Sequence, residues 1–435
     1  MRLRTPAASL AIHGAVLALL LALIARSLAA NGLFAWGVGL IYITYDTALL
    51  AFTAVQTWRL TRPPPPTPPG LAPITLGVVI AAHNEAASLP ATIAALRAQT
   101  EPPEVIIIAD DGSTDSTATA LPPAPDLRVL SLPRGGKARA LNASIATLHT
   151  DVVVTVDADT LLDPSALAAM RRAFAADPAL VAATGVLTPV CSGGTIARVF
   201  AWFQTYEYIR NFMSRFAWMG QDSLLLISGA FAGFRRQAVL QAGGFDPDCL
   251  VEDYELIHRL YRYAQSNSLI WRTAVLGDCT ATTDAPATPL AFLRQRRRWF
   301  GGFLQTQYWY RDMVGNRAYG RLGTRMLPVK AADTVQPIYG LIAFILLLSW
   351  LGRGQFGILL PVGGVILAKI AIDLCFHLWS VHLYRRWTGT RTRARFLPAL
   401  LAALAEPFSF QLLRHLGAGW GWLVFLRGAR GGVWG

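Results

Sequence analysis

Two aspartates follow a short apolar run in the middle of the chain. The run Val152–Val156 consists of valine and threonine, which predicts a strand buried on both faces, and Asp157 and Asp159 come directly after it. Because side chains alternate along an extended segment, these two carboxylates can point the same way. Carboxylate oxygens suit Mg²⁺ or Mn²⁺, which proteins usually share with substrate phosphates. An ordinary Asp-rich turn is the competing interpretation, and this segment alone favours it.

A second acidic pair, Glu252-Asp253, precedes apolar residues at helical spacing. This pattern predicts that Asp253 lies at the start of a helix. An acid in that position commonly caps the helix or interacts with its dipole, and the local sequence favours that role. The alternative is a general base, because a carboxylate in a partly dry site can take a proton from an attacking hydroxyl.

The loop Gly135-Gly136-Lys137 opens a predicted helix. Its backbone N–H groups and its ammonium can bind a diphosphate, although such turns are also common on surfaces. Neither G-x-G-x-x-G nor G-x-x-x-x-G-K-[ST] occurs in the chain, which disfavours a dinucleotide-binding or P-loop enzyme.

The segment from Phe292 to Tyr310 is basic and aromatic. It predicts an amphipathic helix at a membrane surface, with arginines toward the headgroups. This placement still leaves Gln295, Arg298 and Trp299 for a site, because guanidinium groups bind phosphate oxygens and indole faces stack on sugar rings.

The composition points to a membrane protein. The 435 residues are 53% apolar with a mean hydropathy of +0.39 and a net charge of +13. In a soluble protein that charge would indicate nucleic-acid binding. Here many cations border apolar runs, as at the cytoplasmic flanks of membrane helices, so no nucleic-acid partner is expected. The four cysteines are scattered, which argues against a zinc site or a disulfide framework.

Shifts in composition divide the chain into five predicted segments. They are an N-terminal transmembrane hairpin (1–62), a Pro-rich linker (63–70), an α/β domain (71–285), amphipathic interfacial helices (286–334) and a C-terminal transmembrane region (335–435). The first apolar stretch also fits a signal peptide, because small residues follow it. In both cases Arg59 and Arg62 place the next domain in the cytoplasm. The last apolar run, Leu397–Leu426, is interrupted at Glu406-Pro407, which predicts one kinked span or two half-elements.

Between residues 74 and 156 predicted strands alternate with predicted helices. This alternation indicates a mostly parallel sheet with helices on both faces. In open sheets of this kind ligands bind beyond the carboxyl ends of the strands, where Asp157 falls.

Four motifs in chain order resemble a known family. They are Asp110-Asp111-Gly112-Ser113, Asp157-Ala158-Asp159, Glu252-Asp253 and Gln295-Arg296-Arg297-Arg298-Trp299. Their order resembles the D, D-x-D, (T/E)-D, Q-x-x-R-W pattern of membrane-embedded family 2 glycosyltransferases. This group includes the synthases of cellulose, chitin, hyaluronan and poly-N-acetylglucosamine, and also ceramide glucosyltransferase. The resemblance covers roughly residues 74–310 and implies a Rossmann-like GT-A catalytic domain beside transmembrane helices.

The resemblance implies a role for each matching residue. It implies Asp253 as the base with Glu252 beside it; donor binding by His83, Glu85, Asp110, Asp111, Lys137, Asp157 and Arg298; acceptor binding by Ser228, Gly229, Gln295 and Trp299; and metal binding by Asp159 and Asp157. Of the first aspartate pair, Asp111 is the favoured ligand of the uracil and ribose.

Three positions depart from the family pattern. His83 stands where the family has a tyrosine, which leaves the donor less defined. Val251 stands where polymer synthases commonly have threonine. Ser228-Gly229-Ala230 replaces the cysteine-containing loop of cellulose synthases, so cellulose is a less favoured product.

The expected function is metal-dependent, inverting transfer from a UDP-sugar to a growing β-linked polysaccharide, with export through the chain's own helices. Transfer of a single sugar to a membrane lipid is the main alternative. A transporter or receptor that only binds nucleotide-sugar is a weaker alternative, because it leaves Asp253 and Trp299 without a role. Expected cofactors are Mg²⁺ or Mn²⁺. Expected partners are the donor, a glycan or lipid acceptor and membrane lipids, with a homo-oligomer or accessory export subunits left open. The expected location is the bacterial inner membrane, multi-pass, with a cytoplasmic catalytic domain.

Overall fold

The computed structural model describes residues 5–29, 32–62, 70–120, 122–389 and 394–428. The predicted Pro-rich linker lies outside these residues except for Gly70. The chain forms two compact units. The helical unit contains Met1–Thr61, Pro286–Tyr384 and Ala394–Ala429, and the sheet unit is formed mainly by Arg62–Ala285.

Helices form most of the regular structure in the described residues. They are α1 (Ala7–Ala29), α2 (Gly37–Thr57), α3 (Leu89–Arg97), α4 (Lys137–Thr147), α5 (Ala166–Ala176), α6 (Thr195–Met219), α7 (Arg236–Gln241), α8 (Glu252–Ser266), α9 (Pro289–Trp309), α10 (Leu327–Gly352), α11 (Phe356–Thr388), α12 (Phe396–Ala405) and α13 (Phe410–Leu426). The strands are β1 (Leu76–Ala82), β2 (Val105–Asp111), β3 (Leu127–Leu132), β4 (Val152–Val156), β5 (Thr160–Leu162), β6 (Leu180–Val190), β7 (Phe231–Arg235) and β8 (Arg272–Asp284).

The sheet unit is built on one mixed sheet with the strand order β3-β2-β1-β4-β7-β6-β8-β5. β1, β2, β3 and β4 pair in parallel, as the alternation of strands and helices predicts. All residues of β1 and β4 are buried, which explains their apolar, β-branched sequences. β7 then pairs antiparallel with both β4 and β6. The predicted α/β fold class is confirmed.

The parallel strands place the candidate site residues that follow β1, β2 and β4 at one edge of the sheet. Ala82 at the end of β1 lies opposite Asp110 at the end of β2, and Val79 of β1 lies opposite Thr155 of β4. The residues that follow these strands therefore leave the sheet at the same carboxyl edge.

The helical unit contains the apolar segments. Four helical segments are long and apolar enough to cross a membrane, namely Ala7–Ser27, Leu33–Thr61, Leu322–Gly352 and Phe356–Thr388. α12 and α13 meet this test only as a pair, and a bend of 51° separates them near Pro407. The bend matches the predicted interruption and fits a broken span or a re-entrant loop.

Several charged side chains inside the helical unit form ion pairs. Lys369 of α11 contacts Asp46 of α2 at 2.7 Å and also pairs with Asp373 one turn further along α11. Arg414 of α13 contacts Glu406 at 2.6 Å. Because an isolated charge among apolar helices is costly, these pairs allow the charges to remain there. The pair of Lys369 with Asp46 also connects two helices that are distant in sequence.

Close packing joins α9 and α13 through glycine. A Cβ atom added at Gly421 would lie 2.7 Å from the Cβ of Phe300 and 2.9 Å from the backbone nitrogen of Gly301. One turn earlier, a Cβ added at Gly417 would lie 2.6 Å from the Cβ of Arg296. Small residues spaced four apart allow helix backbones to approach in this way.

We expect Gly421→Ala to destabilise the helical unit by about 1–3 kcal/mol, because the new methyl group meets the backbone of α9. Gly419→Ala is the matched control on the same helix, since its Cβ would lie 3.5 Å from Leu341, at ordinary contact distance. Thermal unfolding of the purified chain in detergent measures both. Equal melting temperatures for the two variants would contradict the proposed close contact.

Candidate active site

The end of β2 anchors the glycine loop. Asp111 is almost fully buried, and its carboxylate accepts hydrogen bonds from the backbone N–H groups of Gly135 at 2.7 Å and Gly136 at 2.8 Å. Gly136 has a φ of 91°, a conformation that L side chains rarely adopt, and it directly precedes α4. Asp110 accepts a hydrogen bond from the backbone of Ser113 at 3.0 Å. Asp111 therefore fixes the loop from which Lys137 projects.

The segment after β1 is connected to the loop after β2. The Nδ1 of His83 donates to the backbone carbonyl of Asp111 at 3.0 Å. Asn84, with a φ of 58°, accepts a hydrogen bond from the backbone of Thr114 at 2.8 Å. The carboxylate of Glu85 accepts one from Ser88. His83 and Glu85 are therefore held at the same edge as Asp110 and Asp111.

Lys137 lies between two acidic segments. Its ammonium forms an ion pair with Asp157 and lies 3.9 Å from a carboxylate oxygen of Glu252. Burial alone would lower the pKa of Lys137, but the carboxylates of Asp157, Glu252 and Asp253 raise it well above its usual value. Lys137 is therefore a permanent cation that connects the Asp157 segment with the start of α8.

Asp253 is held at the start of α8 by two backbone groups. It accepts hydrogen bonds from the N–H of Gly229 at 2.7 Å and from the N–H of Tyr254 at 2.8 Å. A Cβ atom at Gly229 would lie 3.1 Å from the carboxylate, so glycine permits this close approach. The neighbouring Ser228 donates its N–H to Thr184. The first-turn position of Asp253 agrees with the predicted helix start, and its contact with the 228–230 loop is a tertiary one.

The carboxyl of Asp159 has a raised pKa. Burial raises its pKa to about 6, with further contributions from the carboxylates of Asp157, Asp284 and Glu85. Thr283 donates a hydrogen bond to it at 3.3 Å. A cation would relieve this repulsion.

Asp157 and Asp159 are carboxylates of the kind that bind a divalent cation together with substrate phosphates. Among the described residues, no group of three or more His, Cys, Asp or Glu side chains is arranged to hold a metal ion. Mg²⁺ and Mn²⁺ sites of nucleotide-dependent enzymes commonly use one or two carboxylates together with substrate phosphates, so a pair of aspartates meets that requirement.

The predicted acceptor-side residues of the basic helix lie on α9, in the helical unit. Gln295 and Trp299 are half-buried, and Arg298 is exposed. The buried guanidinium of Arg296 lies 4.4 Å from the centre of the Trp299 ring and 4.5 Å from that of Phe292. Arg296 therefore holds the tryptophan in place within α9.

The sequence motifs identify neither Arg296, which lies against Trp299, nor Arg215, which lies near Asp253. Arg296 occupies a variable position of the motif, whereas its neighbour Arg298 occupies a defined one. Arg215 lies on α6, in an aromatic-rich segment without a recognisable motif, and its charge interacts with Asp253. Only packing brings Arg215 toward the start of α8, so no local signal identifies it.

The strand order of the sheet is that of the GT-A fold. The model of the family described as "Glycosyl transferase family 2" matches residues 77–242. The chain therefore contains a family 2 glycosyltransferase domain.

Several curated relatives are polysaccharide synthases. The chain is 30% identical over 232 residues to a poly-beta-1,6-N-acetyl-D-glucosamine synthase of Staphylococcus aureus (strain COL), covering 52% of this chain and 53% of that protein. It is 27% identical over 238 residues to the corresponding synthase of Staphylococcus epidermidis (strain RP62A), covering 52% and 54%. The chain thus matches about half the length of these relatives.

A solved structure supports the fold. The mannosyltransferase PcManGT from Pyrobaculum calidifontis, solved with GDP-Man and Mn²⁺, matches with a TM-score of 0.55 and 22% sequence identity. The match covers 86% of this chain and 99% of that one. At this identity the match establishes the fold alone.

We expect Asp159→Asn to raise the melting temperature of the metal-free protein at about pH 7.5 by roughly 2–6 °C. The folded-state pKa of Asp159 lies above its unfolded value of 3.8, so this carboxyl stabilises the fold fully below about pH 4 and loses that contribution as the pH rises through about 6. The asparagine side chain does not ionise, so the variant does not lose this stabilisation. The melting temperatures of the variant and the parent should therefore converge near pH 4.

Asp151→Asn is the control of opposite sign. Hydrogen bonds from Thr75 lower the pKa of the Asp151 carboxyl, so its contribution is present above the unfolded pKa and is lost on acidification. This variant should melt at a lower temperature than the parent at neutral pH. If Asp159→Asn behaved in the same way, the repulsion at Asp159 would be disproved.

Proposed function

We propose that the chain transfers a sugar from a UDP-sugar to a growing β-linked polysaccharide, with inversion at the anomeric carbon. The observation that carries this proposal is the position of Lys137, which places a permanent cation between Asp157 and Glu252 and next to Asp253. A group suited to a diphosphate and a group suited to accept a proton thus lie at one edge of the sheet. The synthase names of the curated relatives support the polysaccharide product.

We assign binding of the UDP-sugar donor to residues in or directly after β1, β2 and β4. His83, Glu85, Asp110 and Asp111 would bind the uridine part, and Lys137 would contact the diphosphate. Since both carboxylate oxygens of Asp111 accept hydrogen bonds from the glycine loop, this residue would also act by positioning Lys137. Asp110 then has the greater freedom to contact the nucleoside.

The transfer step follows from the proton acceptor. The acceptor hydroxyl gives its proton to the carboxylate of Asp253, and its oxygen forms a bond to the anomeric carbon from the face opposite the diphosphate. The bond between the anomeric carbon and the phosphate oxygen breaks, and its electron pair leaves with UDP. An α-linked donor therefore gives a β-linked product. The two N–H groups that bind Asp253 keep its carboxylate oriented.

Asp157 and Asp159 would hold Mg²⁺ or Mn²⁺, which supplies positive charge to the leaving diphosphate. Lys137 adds a fixed charge at the same place, in a site where water is partly excluded. Glu252 helps to hold Lys137 through their 3.9 Å contact.

Acceptor binding is assigned to two sets of residues. Ser228 and Gly229 lie in the loop that contacts Asp253. Gln295 and Trp299 of α9 would bind the acceptor sugar, with Arg298 toward the phosphates, as the motif implies. Arg296 supports this assignment, because its stacking fixes the indole in one orientation.

The helical unit is proposed to lie in the bacterial inner membrane with the sheet unit on the cytoplasmic side. Arg59 and Arg62 after the second apolar segment support this orientation. The four to five candidate spans support export of the product through the chain, alone or with accessory subunits.

We expect Asp253→Asn to lower the transfer rate by roughly 10³-fold or more while UDP binding stays within about twofold, because the amide cannot accept the proton. Transfer from labelled UDP-sugar and UDP affinity by calorimetry measure the two effects. The exposed Asp248 lies five residues earlier, and Asp248→Asn should retain full activity. Near-normal turnover in Asp253→Asn would remove the base assignment.

A second experiment tests the class of product and the metal. Membranes containing the chain are incubated with labelled UDP-N-acetylglucosamine or UDP-glucose, with Mg²⁺, Mn²⁺ or EDTA. We expect a metal-dependent, high-molecular-weight product, made best from UDP-N-acetylglucosamine if the curated relatives indicate the donor. A small solvent-extractable product would instead establish transfer to a lipid. Full activity in EDTA would disprove the metal requirement.

A further inference from the structure

Arg215 on α6 carries buried donors that the protein leaves without acceptors. Its Nε and Nη1 atoms are buried, and neither has a hydrogen-bond partner among the described residues. The guanidinium lies over the ring of Phe212, 4.4 Å from the ring centre, which restricts its movement. A buried donor without a partner costs free energy, so this geometry calls for an explanation.

Charged and polar groups lie near Arg215, but none of the described residues accepts a hydrogen bond from its Nε or Nη1. Asp253 lies close enough for its negative charge to attract the guanidinium, and the phenol of Tyr208 also lies nearby. Burial lowers the pKa of Arg215 to about 10, with Tyr208 and Asp253 opposing this effect, so the side chain stays protonated at neutral pH. Asp253 already accepts bonds from Gly229 and Tyr254.

This combination defines the chemistry of the missing partner. A phosphate or carboxylate at Arg215 would also lie near Asp253 and be repelled by it. Neutral oxygen atoms that accept hydrogen bonds satisfy the two donors without this repulsion. Hydroxyl and ring oxygens of a sugar meet the requirement, and the face of Asp253 is where the attacking hydroxyl must be.

We infer that Arg215 binds the acceptor sugar through its Nε and Nη1 donors and orients the attacking hydroxyl toward Asp253. This inference rests on the proposed function, since it assigns a residue to the acceptor of that reaction. Arg215 touches substrate in this assignment, whereas Asp253 takes the proton.

The test separates acceptor binding from donor chemistry. The full chain in detergent is assayed for hydrolysis of the labelled UDP-sugar in the absence of acceptor. It is then assayed for transfer to a soluble pentamer of β-1,6-linked N-acetylglucosamine at increasing concentrations. The variants are Arg215→Ala, Arg215→Lys and, as the control, Arg198→Gln, because Arg198 is an exposed arginine of the same helix.

Arg215→Ala should raise the KM for the pentamer by roughly tenfold or more, because the sugar loses hydrogen bonds that only the wild-type site provides. Donor hydrolysis and the KM for the donor should stay within about twofold. Arg215→Lys should recover part of the loss, and Arg198→Gln should match the wild type. Melting temperatures of all four proteins identify any folding defect, and Arg215→Lys carries the test if the alanine variant does not fold.

Three outcomes would overturn the inference. A parallel fall of donor hydrolysis and transfer would place Arg215 at the donor. An unchanged KM for the pentamer, with only the acid limb of the pH–rate profile moved, would reduce its role to an electrostatic effect on Asp253. Transfer that occurs only to a phosphorylated lipid would contradict a neutral acceptor. If the wild type neither hydrolyses nor transfers from any UDP-sugar, the proposed function itself fails.

Discussion

The ammonium of Lys137 joins the two acidic segments of the candidate active site. It pairs with Asp157 after β4 and lies 3.9 Å from Glu252 at the start of α8. Without this cation the two segments would repel each other across a partly buried edge. The position of Lys137 depends in turn on Asp111, which holds the glycine loop by both carboxylate oxygens. A chain of polar contacts thus runs from the end of β2 to the general base candidate.

The same edge carries more negative charge than the protein neutralises by itself. The raised pKa of Asp159 reflects this excess, since burial and neighbouring carboxylates both disfavour its ionised form. Such an arrangement lowers the stability of the free protein and favours the binding of a cation. At Arg215 the protein instead leaves hydrogen-bond donors unsatisfied, because its buried Nε and Nη1 have no acceptor among the described residues. Both features are consistent with a site that is completed by substrate on its donor side and on its acceptor side.

The helical unit relies on specific contacts of a different kind. Gly417 and Gly421 allow α13 to pack closely against α9. Arg296 of α9 contacts Gly417 and also stacks on Trp299. Apolar helices in a membrane gain little from hydrophobic burial against each other, so close packing and paired charges such as Lys369 with Asp46 must set their arrangement. The motif tryptophan therefore depends on α13, which lies more than 100 residues later in the chain.

Local pattern in the sequence was enough to predict the parallel strands β1 to β4, the apolar helices, the interruption at Glu406-Pro407 and the helix start at Asp253. These features depend on the periodicity and chemistry of neighbouring residues, and neither requires knowledge of tertiary contacts. The antiparallel pairing of β7, the anchoring of the glycine loop by Asp111 and the approach of Arg215 to Asp253 were decided by the tertiary structure. Each of them joins segments 24 to 83 positions apart, and only packing in three dimensions selects such contacts from the many that the same residues allow.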